Sequence, residues 1–302
     1  MQRGLVITTL LAACATGCGG QTWTVRSLDD LRAAPLYSFN PPELAVYLRW
    51  LSQQEMPLGE RVALLARRNI GQPYRLGLLG EFPFELYDPD PMCCLAAGDC
   101  VTFVEQTYAM ALSHDWASFF RLLQRIRYKE GRVGLATRNH FMEADWNVHN
   151  AWLFDDITMA LSRGNPAAMR VRIDRSALLA RHGIAADVPI EIIADMYLPR
   201  DRLSAASPDL RDGDIVEIVR GDEDWQWISH VGLIARSPAG QVTMIHSSSP
   251  KAREQPLDAY LRDHTDVLGV KVLRPKTPRL EEPARENDHG GQIVRAGRDI
   301  WQ

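Results

Sequence analysis

The feature that most constrains this chain is a change of hydrophobic period partway along it. In the first half apolar residues recur at helical spacing. Asn40-Pro41-Pro42 opens a segment with Leu44, Val46, Tyr47 and Leu51, Asn40 standing as N-cap and Pro41 at the first helical position. A second helix is expected near 58–70 (Val62, Leu64, Leu65, Ala66), stopping at Gly71. A third begins after Asp99 and runs to about Ser113, and a fourth, capped by Asp115, carries Phe119, Leu122, Leu123 and Ile126. From Met169 the period becomes two. Met169/Val171/Ile173, Ile190–Ile193, Asp214–Val219, Trp227–Ala235, Gln241–His246 and Val267–Leu273 read as strands. Ser237-Pro238-Ala239-Gly240 joins the fourth and fifth as a hairpin. Helices first and antiparallel strands afterwards specify an α+β fold in a single domain, from about 19 to 275.

The two ends differ from this body. Residues 1–20 carry a positive Arg3, an uncharged apolar run over 4–13 and then small residues, the pattern of an export signal and too short to span a bilayer. Leu11-Ala12-Ala13-Cys14 also has the form of a bacterial lipobox, with Cys14 as the acylated residue, and Ala15-Thr16-Gly17-Cys18 is a second candidate. Residues 1–18 are therefore read as a lipoprotein-type signal, which implies an exported, periplasmic protein whose membrane contact is a lipid anchor. The alternative is an ordinary signal peptide with two incidental cysteines. Residues 276–302 are polar and charged and are read as a disordered tail. A net charge of −4 gives no basic excess for a nucleic-acid partner, and five cysteines are too few for a disulfide framework.

The candidate chemistry centres on Cys100. At a helix start, unpaired N–H groups and the positive end of the dipole favour a thiolate. Helical spacing places Cys100 on the stripe of Phe103, Val104 and Thr107, the packed side. A nucleophile there needs a base from the opposing layer. His230, in Ser229-His230-Val231-Gly232, lies within one strand of the hairpin, and His246 lies near the end of its partner. The expected constellation is a Cys100–His230–His246 triad, with the Cys100 N–H helping to form an oxyanion hole. The alternative is a small core cysteine and two structural histidines.

Several motifs resemble one family. Gly71-Gln72-Pro73-Tyr74 followed by Asp99-Cys100, together with Ser229-His230-Val231-Gly232-Leu233, is similar to the NlpC-type papain-like cysteine hydrolases of the cell wall. Asp99-Cys100-Val101-Thr102-Phe103-Val104-Glu105 resembles its N-acetylmuramoyl-L-alanine amidase-like branch. So do Ile126-Arg127-Tyr128-Lys129-Glu130-Gly131, and Arg138-Asn139-His140 with Asp145-Trp146 and Asn150. Ile245-His246-Ser247-Ser248 resembles the strand bearing the third catalytic residue. The match covers about 60–275, while Gly134-Leu135-Ala136-Thr137 departs from the family's Gly-Tyr-x-Ser form and Cys93-Cys94 lies outside its pattern.

The resemblance implies a papain-like α+β fold without a cofactor or metal. It implies hydrolysis of the amide between muramic acid and L-alanine in peptidoglycan or muropeptides. Cys100 would be nucleophile, His230 base and then acid, and His246 its orienter. Tyr74, Asp99, Arg138, His140 and Asp145 would line the substrate cleft, Arg138 facing a stem-peptide carboxylate. For Arg138, His140 and Asp145 the alternative is a network of internal ion pairs and hydrogen bonds. A stem-peptide endopeptidase and a catalytically silent wall-binding lipoprotein are the rival functions. Cys93 and Cys94 read as free thiols in a loop, since a vicinal disulfide is strained. His140, Asp145 and His149 lack zinc-site spacing, and Asp222-Glu223-Asp224 with Trp225 and Trp227 reads as a solvated hairpin tip.

Overall fold

The structure, a computed structural model, describes residues 23–276. The expectations for Cys14, Cys18 and all but the first residue of the polar tail lie outside them. Five helices lead the chain: α1 (Leu28–Ala33), α2 (Pro41–Ser52), α3 (Leu58–Arg68), α4 (Cys100–Leu112) and α5 (Trp116–Arg127). Reciprocal capping boxes start three of them, Asn40 with Glu43 on α2, Asp99 with Thr102 on α4 and Asp115 with Ser118 on α5. Each satisfies two backbone donors that a helix start otherwise leaves open.

Eight strands follow: β1 (Phe154–Asp156), β2 (Ala167–Ile173), β3 (Glu191–Pro199), β4 (Ile215–Gly221), β5 (Gln226–Arg236), β6 (Val242–His246), β7 (Arg253–Pro256) and β8 (Gly269–Pro275). They form one sheet in the order β2-β3-β8-β4-β5-β6-β7, with β1 also pairing with β8. Every pairing is antiparallel. The fold is thus α+β with an antiparallel sheet, as the change of period implies. The β5–β6 hairpin forms with Leu233 opposite Ile245. Strands β1 and β7 and the helix Leu257–Asp263 are absent from the sequence expectation, because they are short and lack a sustained period.

Across β4, β5 and β6, strand alternation puts apolar residues into two clusters, one on each face. Val231, Leu233, Ala235 and Ile245 pack with Phe103, Val104 and Tyr108 of α4. Val216, Ile218, Ile234 and Met244 pack with Leu257, Tyr260 and Leu261. Helix α4 is buried at every position from Thr102 to Ala111, so it is the central helix and its start is held from all sides. Bonds between distant segments lock that start. Gly98 N–H donates to Pro73 O (3.1 Å), Ser247 Oγ donates to Gly98 O (3.0 Å), and Tyr74 N–H donates to Pro250 O (3.0 Å).

Candidate active site

Cys100 is the first residue of α4 and is partly buried. Its sulfur lies against the backbone N–H groups of Val231, Val101 and Cys100 itself, each of which favours the thiolate. Burial outweighs them. With the nearby Asp99 carboxylate acting in the same direction, it pushes the thiol up to about 11. The resting thiol is therefore protonated, which corrects the expectation of a depressed pKa from the helix start alone.

The two histidines meet directly. His230 Nε2 and His246 Nδ1 are 2.8 Å apart, and the rings cross edge-on at 82°. Two local features of the sequence allow this. Ile218 pairs with His230 but Val219 pairs with Ile228, so Ser229 is an extra residue, a bulge that re-aims the strand just before His230. Gly232 supplies the second. A Cβ there would stand 2.7 Å from Met244 Cγ and 3.1 Å from His246 Cβ, so glycine leaves room for His246 to lie across β5. Burial, reinforced by the cations Arg220 and Arg253, pushes His230 down to about 4. Burial, His230 and Arg253 push fully buried His246 down to about 3. Both rings are neutral at neutral pH. Tyr260, which the sequence reading missed, lies parallel to His230 at 6.1 Å and edge-on to His246 at 5.5 Å, closing one side.

A cleft of about 170 Å³ opens at the start of α4, lined by Asp99, Val101, Thr102, Arg138, His140 and Met142 among others. Tyr74 stands within electrostatic range of Cys100 and Asp99, and burial with those two groups pushes its hydroxyl up. Asp99 is absorbed by capping. Oδ1 accepts from Thr102 N–H (2.9 Å) and Oδ2 from Gly77 N–H (3.2 Å). Arg138 is held by Glu81, with Nε donating to Oε1 at 2.6 Å, and by Asp88. His140 donates through Nε2 to Leu135 O (2.7 Å) and is pushed down to about 4 by burial. Asp145 lies outside the cleft lining. Its carboxylate takes a two-pronged ion pair from Arg175 (2.7 and 3.0 Å). For Arg138, His140 and Asp145 the structure contains the internal network, with the Arg138 guanidinium bound by the carboxylates of Glu81 and Asp88.

Other residues at the site lacked a sequence signal of their own. Glu105 and Arg127 line the cleft as a buried pair at 3.4 Å, Glu105 also accepting from Trp146 Nε1 (3.0 Å). Both stand in motifs quoted above for the resemblance, where their pairing could not be read. Gln255 of β7 places its amide nitrogen 3.2 Å from His246 Nε2. Cys93 and Cys94 are free thiols, the former buried beside Gln106. Among the described residues, no cluster of three or more His, Cys, Asp or Glu side chains is arranged to hold a metal ion, and no helix is long and apolar enough to cross a membrane.

Comparison with known proteins places this arrangement in a family. Protein LPG0564 of Legionella pneumophila is similar in structure with a TM-score of 0.65 at 21% identity, over 78% of this chain and 94% of that one. An N-acetylmuramoyl-L-alanine amidase from Bacteroides uniformis gives 0.59 at 23% identity, over 72% and 99%. A putative xylanase from Bacteroides fragilis gives 0.52 at 24%, over 69% and 98%. At these identities the likeness is one of fold. No curated protein matches the chain. A family model described as AmiA-like, N-acetylmuramoyl-L-alanine amidase-like, matches residues 65–268, more than half of the chain and the whole of the site from Tyr74 to Tyr260. The chain belongs to the N-acetylmuramoyl-L-alanine amidase-like family.

Proposed function

We propose that the protein is a cysteine-dependent N-acetylmuramoyl-L-alanine amidase with a papain-like, NlpC-type arrangement over residues 19–275. The observation that carries the reading is the His230–His246 contact of 2.8 Å on the strand whose next N–H, that of Val231, lies against the Cys100 thiol. Cys100 Sγ attacks the lactyl carbonyl carbon as its proton passes to His230 Nδ1. The oxyanion is received by the Cys100 N–H at the start of α4. The C–N bond then breaks, the L-alanine nitrogen takes the proton from His230, and a muramoyl thioester remains on Cys100. Water, deprotonated by His230, attacks the thioester, releasing the muramic carboxylic acid and restoring the thiol. His246 Nδ1 accepts from His230 Nε2–H, a bond that also supports the His230 ring each time it carries the transferred proton. Arg138 and His140 line the cleft and shape it, Arg138 through the carboxylates that hold it, and Tyr74 stands near Cys100 and Asp99.

Export and a lipid anchor at Cys14 belong to the same proposal, supported by the apolar run and the small residues before that cysteine. The central test is digestion of a defined disaccharide-peptide by wild type and Cys100→Ala, read by mass spectrometry. Wild type releases the free sugar acid and the intact stem peptide, and the variant releases neither. Equal hydrolysis by the variant, or fragments cut within the stem, overturns the reading. Cys14→Ser moves the protein from the membrane to the soluble fraction, and retention at the membrane overturns Cys14 as the acceptor.

A further inference from the structure

Strand β7 carries a polar side chain that the mechanism above does not use. Gln255 lies diagonally across from His246 on the same face of the β6–β7 pair, where His246 is opposite Arg253 and Met244 opposite Gln255. Its amide reaches His246 Nε2 at 3.2 Å, and His246 Nδ1 reaches His230 Nε2 at 2.8 Å. Amide and two imidazoles thus form one directed row.

Each neutral ring carries a single N–H, so the row has two possible senses. With the amide nitrogen toward His246, as the structure places it, His246 accepts at Nε2 and donates from Nδ1. His230 Nε2 must then accept, and the proton of His230 sits on Nδ1. That ring cannot take a proton at Nδ1. With the amide turned by 180°, Oε1 accepts from His246 Nε2–H, His246 Nδ1 accepts from His230 Nε2–H, and His230 Nδ1 keeps a lone pair. The turned sense also serves the charged state. A protonated His230 has N–H on both nitrogens, so its Nε2–H needs an acceptor at His246 Nδ1. The first sense would set two donors against each other in a dry site.

We propose that Gln255 is a positioning residue, whose amide oxygen fixes the tautomers of His246 and His230 so that His230 Nδ1 is the basic nitrogen. This rests on the cysteine-amidase reading. The groups facing the row from neighbouring elements are Arg253 of β7, Arg220 of β4, and Tyr260 and His264 of the following segment, with Cys100 of α4 and Asp266 acting on Tyr260. Neither arginine can accept from His246 Nε2–H, and the Asp266 carboxylate is paired with Arg220 Nε at 3.0 Å. Arg253 and Arg220 are permanent cations, and His264 spends Nδ1 on Tyr260 O at 2.8 Å.

The test uses the full chain with Gln255→Leu, which keeps the bulk and removes both amide atoms, and Gln255→Glu, which can only accept. On a muropeptide, Gln255→Leu loses at least ~10-fold in kcat with KM unchanged. Gln255→Glu recovers part of that loss and moves the acid limb of the pH–rate profile upward, because a carboxylate favours the charged rings. Nitrogen-15 correlation spectra of the side chains read the tautomers without turnover. Wild type shows His246 protonated at Nε2 and His230 at Nε2, and Gln255→Leu shows a mixture. Unchanged kcat together with unchanged imidazole shifts in Gln255→Leu overturns the proposal. So do wild-type spectra with His230 protonated at Nδ1. If Gln255→Leu does not fold, the limb shift of Gln255→Glu and the wild-type spectra decide. A wild type that fails to cut muropeptide defeats the functional reading, whereas the spectra judge Gln255 independently.

Discussion

The sharpest consequence of the site concerns how Cys100 reacts before any substrate arrives. Helix-start cysteines paired with an imidazolium are ionised and alkylate rapidly even in acid. Here burial holds the thiol near 11, and the paired imidazoles of His230 and His246, held near 4 and 3, carry no charge at neutral pH. At pH 7 an ordinary thiol is ~3% ionised and one with a pKa of 11 is ~0.01% ionised, a ~300-fold difference. Higher basicity makes each thiolate more nucleophilic, and with a Brønsted slope of about 0.45 this returns ~10-fold. Iodoacetamide should therefore modify Cys100 ~30-fold more slowly than a model thiol at pH 7, with a rate that climbs steadily to pH 10. The assay is a quench series followed by peptide mass spectrometry, with fragmentation to separate Cys100 from Cys93 and Cys94. Asp99→Asn supplies the perturbation. An asparagine oxygen still caps Thr102 N–H, but the charge that helps to raise the thiol is gone, so the variant should alkylate faster at pH 7. A rate that is flat from pH 4 to 8 refutes the reasoning, because it would reveal a preformed thiolate–imidazolium pair.

The remaining expectations follow from the same geometry. Because His230 and His246 bind protons in the native state only near 4 and 3, the unfolded chain, with imidazoles near ~6.5, takes them up first. Their contribution to stability is complete above about pH 6.5 and is lost as pH falls toward 4, which a melting series shows as a falling Tm; a Tm independent of pH across that window contradicts the neutral pair. Glu217 has the opposite sign. Fully buried, with Oε1 unpartnered, it is pushed up to about 8, so the fold loses stability as pH rises from ~4.5 through 8. Glu217→Gln should unfold at higher denaturant than wild type at pH 9, by a few kcal/mol in order of magnitude, and show a smaller difference at pH 5; a variant less stable at pH 9 contradicts this. Gly232→Ala should cut muropeptide hydrolysis by ~10-fold or more while the protein stays folded, since the new methyl presses on Met244 and His246. Unchanged activity would show that His246 can move without consequence.

What the sequence made legible follows the distance over which each feature is decided. The start of α4 was readable because Asp99, Cys100 and Thr102 settle it among themselves. The His230–His246 approach was readable because a hairpin with a short turn fixes its own register. The surroundings of Arg138 were not. Its partners Glu81 and Asp88 stand 57 and 50 residues earlier, and Asp145 finds Arg175 30 residues later, inside a segment without a strong period. Gln255 and Tyr260 escaped for a related reason. Strand β7 reads Arg-Glu-Gln-Pro, polar throughout, and only its pairing with β6 turns Gln255 toward His246.

The thiol pKa separates two effects that a sequence reading merges. A helix start stabilises negative charge wherever it appears nearby, whereas burial raises the energy of any charge that is not so placed. At Cys100 the resting balance favours the neutral thiol, because the α4–β5 contact removes water from a sulfur whose charge would be concentrated on one atom. In the proposed reaction the charge shifts during attack from that sulfur to the carbonyl oxygen, a smaller and stronger hydrogen-bond acceptor. The N–H of Cys100 lies in the turn between Asp99 and Thr102 that the capping box already fixes. The same dryness that disfavours the resting thiolate therefore strengthens the bond to the oxyanion. It follows that a substitution admitting water at Val231 or Tyr260 should lower the thiol pKa and slow turnover together. A more reactive Cys100 with a lower kcat would mark the helix start as serving the transition state, and a parallel rise of both would mark it as serving the ground state.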